Sequence, residues 1–176
     1  DAFAAAGITR ISVGVQDFDP QVQQAINRIQ TFEQTRAVVD GMRERGVTSV
    51  NLDVLYGLPH QTLATLETTI DQVLSMAPDR IALFGYAHVP WMKTHQRLID
   101  ETALPDAAER LVQSTVAAAR IEAAGYVAIG IDHFARPSDK LAIATRSGRL
   151  RRNFQGYTTD DAPALIGLGA SSSGNL

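Results

Sequence analysis

The fold is decided by the run Ser49-Val50-Asn51-Leu52-Asp53-Val54-Leu55, at residues 49–55. Val and Leu cluster over this short span, which is typical of a strand that is buried on both faces of a parallel sheet. Three other runs of Val, Ile and Leu share this composition and are predicted to be strands: residues 8–15, 80–86 and 126–131.

Helical stretches separate these four runs. Apolar residues recur at helical spacing between them, and Gly46 and Gly125 follow two such stretches as natural stops. The predicted helices are residues 21–28, 32–45, 63–76, 106–124 and 138–146. This alternation predicts an α/β fold with parallel strands and outer helices, in one domain that spans residues 1–176.

The composition excludes several classes of function. The 176 residues are 45% hydrophobic and carry a net charge of −3, with no basic face for nucleic acid. No apolar run approaches the roughly 20 residues that span a bilayer. The chain has no cysteine, so disulfides and thiolate ligands within it are excluded, and the cytoplasm is the default location. Both ends look cut, and we expect a fragment of a longer protein.

Polar side chains follow each of the four predicted strands. Gln16 ends the first, Asp53 lies near the end of the second, and residues 86–88 and 132–133 follow the third and fourth. In parallel α/β folds, and in barrels, ligand-binding groups collect at the carboxyl ends of the strands. The sequence therefore predicts a ligand site at this edge.

Each candidate also has a structural interpretation. Asp53 either accepts a hydrogen bond from a ligand hydroxyl or caps the following loop, and Gln16 and Arg28 are each either ligand-binding or solvated. His88 and His133 are each interpreted as core or loop histidines. Together with Asp132 their spacing matches no zinc signature, so no metal site is predicted.

Two segments near the carboxyl terminus combine aromatic rings with polar groups, as a pocket wall does: residues 130–137 and 153–159. Arg136, Arg151 and Arg152 bracket their aromatic residues. A guanidinium can hold a carboxylate in a two-pronged geometry, so these arginines predict a flat, polyanionic substrate, with solvated surface ion pairs as the alternative.

The chain resembles the oxygen-independent coproporphyrinogen III oxidases, a family of radical S-adenosylmethionine (SAM) enzymes, over essentially its whole length. The resemblance depends on several motifs in order, of which the last two distinguish the oxidases from related haem chaperones: residues 12–18 (SVGVQDF), 27–28 (NR), 51–59 (NLDVLYGLP), 86–90 (YAHVP), 132–137 (DHFARP) and 153–159 (NFQGYTT).

The resemblance implies an incomplete TIM-like (β/α)6 barrel, of which this chain would supply roughly the second half. It also implies the roles of several residues. Gln16 and Asp53 would contact the SAM ribose, Arg28 would pair with the methionine carboxylate, and the backbone of Ala87 would lie near the adenine. The residues that would line the place of a second SAM or of the substrate are Leu55, Phe154 and Gln155.

The implied reaction converts two propionates of coproporphyrinogen III to vinyl groups, giving protoporphyrinogen IX, through a 5'-deoxyadenosyl radical made from SAM at a [4Fe-4S] cluster. The family's Cys-x3-Cys-x2-Cys and Gly-Gly-Thr-Pro motifs are absent and are expected upstream, so the chain alone is predicted to be inactive. Ser173 also departs from the family, which has an aliphatic residue there.

Two alternatives remain open. One is a haem-chaperone relative without oxidase activity, which the last two motifs disfavour. The other is a non-catalytic half barrel that associates with a second copy through its exposed strand edges and apolar inner face.

Overall fold

The computed structural model describes residues 2–153, 156–162, 164 and 166–168. Strands and helices alternate over most of this length. In chain order they are α1 (Ala2–Ala5), β1 (Arg10–Gln16), α2 (Pro20–Ala25), α3 (Phe32–Glu44), β2 (Ser49–Tyr56), α4 (Leu63–Ser75), β3 (Arg80–Gly85), two 3₁₀ turns (Thr94–Leu98 and Glu101–Ala103), α5 (Ala107–Ala123), β4 (Val127–Ile129), β5 (His133–Ala135), α6 (Lys140–Arg146), β6 (Arg151–Asn153) and β7 (Gly156–Thr158).

The main sheet has five strands in the order β1-β2-β3-β5-β4. The pairs β1–β2 and β2–β3 are parallel, whereas β5 is antiparallel to both of its neighbours. The predicted α/β class, a partial barrel of parallel strands with outer helices, is confirmed. The sheet differs from the expectation by the antiparallel strand β5, which lies between the third and fourth predicted strands.

The antiparallel strand follows from the short connection after β4. Gly130 has a φ of 64°, and only residues 130–132 separate β4 from β5. A parallel connection needs a crossover of a dozen or more residues, so a link this short can only return the chain antiparallel to the strand before it.

Polar side chains at the helix starts explain where the long helices begin. Helices α3, α4 and α5 each begin with a reciprocal capping box, whose cap residues are Thr31, Thr62 and Asp106. Each cap side chain accepts a hydrogen bond from a backbone N–H of the first turn, which would otherwise lack a partner. Asp19 caps α2 in front of Pro20, and this helix ends at Ala25, before the predicted end at Arg28.

The core lies between one face of the sheet and the helices. Val50, Leu52 and Val54 of β2 are fully buried, and they alternate with half-buried residues on the other face of the strand. Residues from α4 and α5 complete the same cluster, among them Leu66, Ile70, Val73, Ala117 and Ile121. Burial of each such side chain contributes roughly 1.5–3 kcal/mol, so this face holds the strand ends in place.

The opposite face of the sheet, which we call the inner face, carries the polar residues. The register places Gly14, Asp53, Ala82 and His133 in one row across four strands. Ser12, Asn51 and Arg80 form the next row toward the amino ends of the parallel strands. The candidate site residues therefore share one surface with His133.

Helix α6 and the β6–β7 hairpin cover one end of the inner face. Leu141 and Ala142 of α6 pack with Ile129 and Ala135, and Tyr157 of β7 packs against this group. A buried ion pair fixes the start of α6. Asp139 caps this helix, and the guanidinium of Arg80 bonds both of its carboxylate oxygens at 3.0 Å each.

Candidate functional site

Asp53 presents its carboxylate on the inner face, and two neighbouring side chains hold it there. Asn51 Nδ2 donates to Asp53 Oδ1 at 2.6 Å, and Ser12 Oγ donates to Asp53 Oδ2 at 3.2 Å. Asn51 Nδ2 also donates to Ser12 Oγ at 2.9 Å. Both donors come from the row below, so the carboxylate is oriented and keeps accepting capacity for a ligand hydroxyl.

Gln16 and Arg28 converge on Gly14, which pairs directly with Asp53. Arg28 Nη2 donates to the Gly14 carbonyl oxygen at 2.7 Å. A Cβ at position 14 would lie 2.7 Å from Gln16 Nε2 and 3.2 Å from Arg28 Nη2, so a side chain there would displace these two groups from Gly14. An amide, a guanidinium and a carboxylate therefore lie at one end of β1 and β2, as the sequence predicts.

The orientation of Gln16 depends on an irregular backbone. Gln16 has a φ of 66°, and the pairing of β1 with β2 shifts register between Gly14 and Gln16. A left-handed backbone is costly for a residue with a side chain and persists only where the surroundings fix it. The next residue, Asp17, provides the contacts that fix it.

Asp17 is fully buried and accepts three hydrogen bonds through its carboxylate. Its donors are the Asp19 N–H at 2.6 Å, Thr69 Oγ1 at 3.1 Å and Gln61 Nε2 at 2.6 Å. Burial raises the pKa of Asp17, and these donors act against the rise.

Gln61 extends this network to the end of β2. Its Nε2 donates to the Leu55 carbonyl at 2.9 Å, and its Oε1 accepts from the Gly57 N–H at 2.7 Å. The Asp17–Gln61 hydrogen bond therefore ties the end of β1, where Gln16 lies, to the end of β2, where Leu55 lies. Leu55 is half-buried on the inner face, two residues after Asp53.

The end of β3 carries the predicted adenine contact, Ala87. Its carbonyl accepts from Gln96 Nε2 at 3.0 Å, while Gln96 Oε1 accepts from the Val89 N–H at 2.6 Å. Beside it, Tyr86 Oη is 3.2 Å from His88 Nδ1, and His88 Nε2 is 3.0 Å from Glu101 Oε1. The backbone at Ala87 is thus held in place and exposed at the carboxyl edge of the sheet.

His133 occupies the same inner-face row as Asp53, two strands away. Its Nδ1 lies 2.6 Å from Asp132 Oδ1, and its ring meets those of Phe84 and Tyr157 edge to face at 5.5 and 5.3 Å. Nothing in its sequence spacing distinguished His133 from a core histidine.

The β6–β7 hairpin contains two of the predicted substrate arginines. The guanidinium of Arg152 lies 5.4 Å above the ring of Tyr157, and Arg151 makes a long, exposed contact of 3.8 Å with Asp161. Both side chains are exposed. Phe154 and Gln155, which are predicted to line the place of a second SAM or of the substrate, lie outside the described residues, as does Ser173.

Arg136, which is predicted to bind the substrate, lies away from Asp53 and Gln16. Because β5 is antiparallel, its last residue lies beside Arg80, the first residue of β3. From there Arg136 donates to the carbonyls of Pro78 and Ala77, each at 3.0 Å. The arginine therefore holds the turn before β3, at the edge opposite Asp53 and Gln16.

Sequence reasoning also missed the residues that support the site: Ser12, Asn51, Asp17, Gln61 and Thr69. For Ser12 and Asn51 a signal was present, because they alternate with Gly14 and Asp53 at the two-residue period of a strand. For Gln61 and Thr69 no local signal exists, because their role depends on contacts with residues more than 40 positions away.

The described residues contain no cluster of three or more side chains suited to hold a metal ion. None of the helices in the described ranges combines the length and the hydropathy that a bilayer-spanning segment needs.

Comparison with known proteins points to one group of enzymes. Residues 1–73 match the radical SAM superfamily. The oxygen-independent coproporphyrinogen III oxidase of Bradyrhizobium diazoefficiens is 54% identical over 176 residues, which are 100% of this chain and 39% of that protein. The enzyme of the same name from Synechocystis is 50% identical over 97% of this chain and 37% of its own length.

A solved structure shows the same similarity in three dimensions. The coproporphyrinogen III oxidase of Escherichia coli, described as a radical SAM enzyme, superposes with a TM-score of 0.90 at 45% identity. The match covers 96% of this chain and 39% of that one. The chain thus spans about two fifths of the length of these relatives.

Proposed function

We propose that the chain is part of an oxygen-independent coproporphyrinogen III oxidase. Its sequence and fold correspond to about two fifths of the length of those enzymes. Such an enzyme converts two propionates of coproporphyrinogen III to vinyl groups in porphyrin synthesis. This chain would supply roughly the second half of the barrel as one domain.

The observation that carries the proposal is the convergence of Gln16 and Arg28 on Gly14, beside Asp53. These groups fit SAM by their chemistry. A carboxylate held by Asn51 and Ser12 suits a ribose hydroxyl, and an amide beside it suits the other hydroxyl. A guanidinium at the same strand ends suits the methionine carboxylate.

Arg28 has bonding capacity to spare for that carboxylate. Both of its contacts with described residues are made by Nη2, to the carbonyl of Gly14 and, at 3.4 Å, to Gln30 Oε1. The contact with Gly14 orients the guanidinium and leaves Nη1 and Nε to form a two-pronged pair with a carboxylate.

SAM and a [4Fe-4S] cluster are the cofactors of this family, and together they supply the radical that removes a hydrogen from the substrate. This chain contains no cysteine, so thiolate ligands for a cluster would come from another part of the protein. The chain's own contribution is to bind and orient SAM through Gln16, Arg28, Asp53 and the backbone of Ala87. Leu55, with Phe154 and Gln155, would line the adjoining place of a second SAM or of the substrate.

The test uses the full-length protein, purified without oxygen and reconstituted with its cluster. Coproporphyrinogen III, SAM and a reductant are added, and protoporphyrin is measured by chromatography after oxidation. We expect product from the wild-type protein.

Arg28→Ala is expected to weaken SAM binding by about 10- to 100-fold, as loss of a charge-assisted pair does. The matched control is Arg149→Ala, an exposed arginine in the loop after α6. A preparation that holds its cluster and binds SAM but forms no protoporphyrin contradicts the proposal.

We also propose that the isolated chain associates with a second copy of itself. Among the described strands β1 pairs with β2 alone, which leaves a row of backbone groups at the sheet edge for another copy. Light scattering of the isolated chain at micromolar concentration is expected to show a dimer or larger species. A compact monomer contradicts this.

A further inference from the structure

A cleft of about 320 Å³ lies on the inner face below the row of Asp53. Its walls come from β1, β2, β3, β5, α6 and the β6–β7 hairpin, so distant parts of the chain enclose it. The lining includes Arg10, Ser12, Asn51, Arg80, His133 and Tyr157. None of the described lining residues is acidic, and the Asp53 carboxylate in the row above accepts hydrogen bonds from Ser12 and Asn51.

Two of the lining residues, Arg10 and Arg80, are positively charged. The charge of Arg80 is matched by Asp139, with which it forms a buried two-pronged pair. Arg10 makes no ion pair with any described residue. Its pKa is lowered first by burial and then by the nearby charge of Arg80, against the opposing effect of Asp139. An anion entering the cleft would stabilise the charged guanidinium of Arg10.

His133 is the group in this cleft that is prepared to bind such an anion. Its Nδ1 is committed to Asp132, whose Oδ1 lies 2.6 Å away. Phe84 and Tyr157 fix the plane of the ring by edge-to-face contacts. Its Nε2 bonds to no described residue, so this nitrogen is left for a ligand.

The position of His133 suits the substrate rather than SAM. The register places His133 and Asp53 in one row with β3 between their strands, so their backbones are about 10 Å apart. If Asp53 holds the ribose, a group bound at His133 lies beside SAM within the same barrel interior. The substrate of the proposed function has carboxylates on flexible propionate arms.

We propose that His133, held by Asp132, binds one propionate carboxylate of the porphyrinogen through Nε2, with Arg10 contributing positive charge. This assignment rests on the proposed function.

The test compares His133→Gln and His133→Phe with His95→Gln in the full-length protein. His95 is exposed on the 3₁₀ turn Thr94–Leu98, outside the cleft. The probe is coproporphyrin III, titrated by fluorescence into protein without its cluster. KM and kcat for coproporphyrinogen III are measured on the reconstituted enzyme. The Kd for SAM is measured as well, and it reports whether the neighbouring SAM site has kept its structure.

Both His133 variants are expected to raise the Kd for coproporphyrin III by about tenfold or more, as loss of a charge-assisted hydrogen bond does. KM should rise in parallel, while the Kd for SAM changes less than about twofold. His133→Phe keeps the ring contacts, so a loss in this variant comes from the missing nitrogen. Asp132→Asn is expected to weaken porphyrin binding to a smaller extent.

The proposal is overturned if both His133 variants bind coproporphyrin III as the wild type and His95→Gln do. In that case, turnover by the wild type leaves the proposed function standing. If the wild type itself neither binds coproporphyrin III nor converts coproporphyrinogen III, both the proposed function and the role of His133 fail.

Discussion

The hydroxyl group of Tyr157 occupies the space that a side chain at position 130 would need, so Gly130 and Tyr157 are matched to each other. Gly130 starts the tight turn between β4 and β5, and Tyr157 belongs to the β6–β7 hairpin. The Tyr157 hydroxyl also accepts a hydrogen bond from the Ile131 N–H at 3.2 Å. This contact docks the hairpin onto the row that contains His133.

Gly130→Ala is therefore expected to displace Tyr157 and loosen the hairpin. The matched control is Gly125→Ala, because Gly125 has a φ of 90° but nothing within 4 Å of a Cβ. Both variants strain a left-handed backbone, so their difference isolates the clash with Tyr157. We expect Gly130→Ala to lower the free energy of unfolding by about 1–3 kcal/mol more than Gly125→Ala does. Equal losses in urea unfolding would contradict the matched contact.

Asp17 should make stability fall as pH rises. Burial raises its folded-state pKa above the unfolded value of about 4, so between the two values the folded state binds more protons than the unfolded state. Its contribution to the free energy of unfolding is therefore greatest below the unfolded pKa and decreases until pH exceeds the folded pKa. Asp17→Asn removes this dependence.

The measurement is the difference in free energy of unfolding between wild type and Asp17→Asn, followed from acid to neutral pH. The mismatch of the asparagine amide with the Gln61 Nε2 donor adds an offset that does not depend on pH. We expect the advantage of the wild type to shrink as pH rises. An advantage that grows with pH would mean that the three donors outweigh burial.

Ser12 and Asn51 are expected to act on SAM through Asp53. Removing either donor leaves the Asp53 carboxylate less well oriented. Loss of such a supporting hydrogen bond typically costs about 10-fold in affinity, which is less than loss of the carboxylate itself. Ser12→Ala and Asn51→Ala should thus each weaken SAM binding in calorimetry, and Asp53→Ala should weaken it more. Ser49→Ala is the control, because the buried Ser49 hydroxyl has no hydrogen-bond partner among the residues that the structure describes, so its removal costs little. If Ser12→Ala matches Ser49→Ala in affinity, Ser12 does not support Asp53.

The site edge was predictable from the sequence because strand ends and alternation are local signals. Asp53 and Gln16 follow apolar runs, and the parallel arrangement brings those run ends together. The network behind them was not predictable, since the contact of Asp17 with Gln61 joins loops that are distant in sequence.

The antiparallel strand was missed for a different reason. His133–Ala135 is only three residues long, and its polar first residue hides the strand pattern. The reversal of the chain at Gly130 carries Arg136 to the amino edge beside Arg80, which the sequence does not indicate. The direction of one short strand thus decides where Arg136 lies.

Arg136→Ala tests that reversal. Because the guanidinium holds the carbonyls of Ala77 and Pro78 at the turn before β3, its loss is expected to lower the free energy of unfolding by about 1–2 kcal/mol. The KM for coproporphyrinogen III should stay within about twofold of the wild type, since Arg136 does not line the cleft below Asp53 and its guanidinium is committed to these carbonyls. Arg149→Ala controls for loss of surface charge, because this exposed arginine bonds, among the described residues, only the nearby Ser147 hydroxyl through its side chain. A KM that rises tenfold in Arg136→Ala while stability is unchanged would return Arg136 to the substrate site.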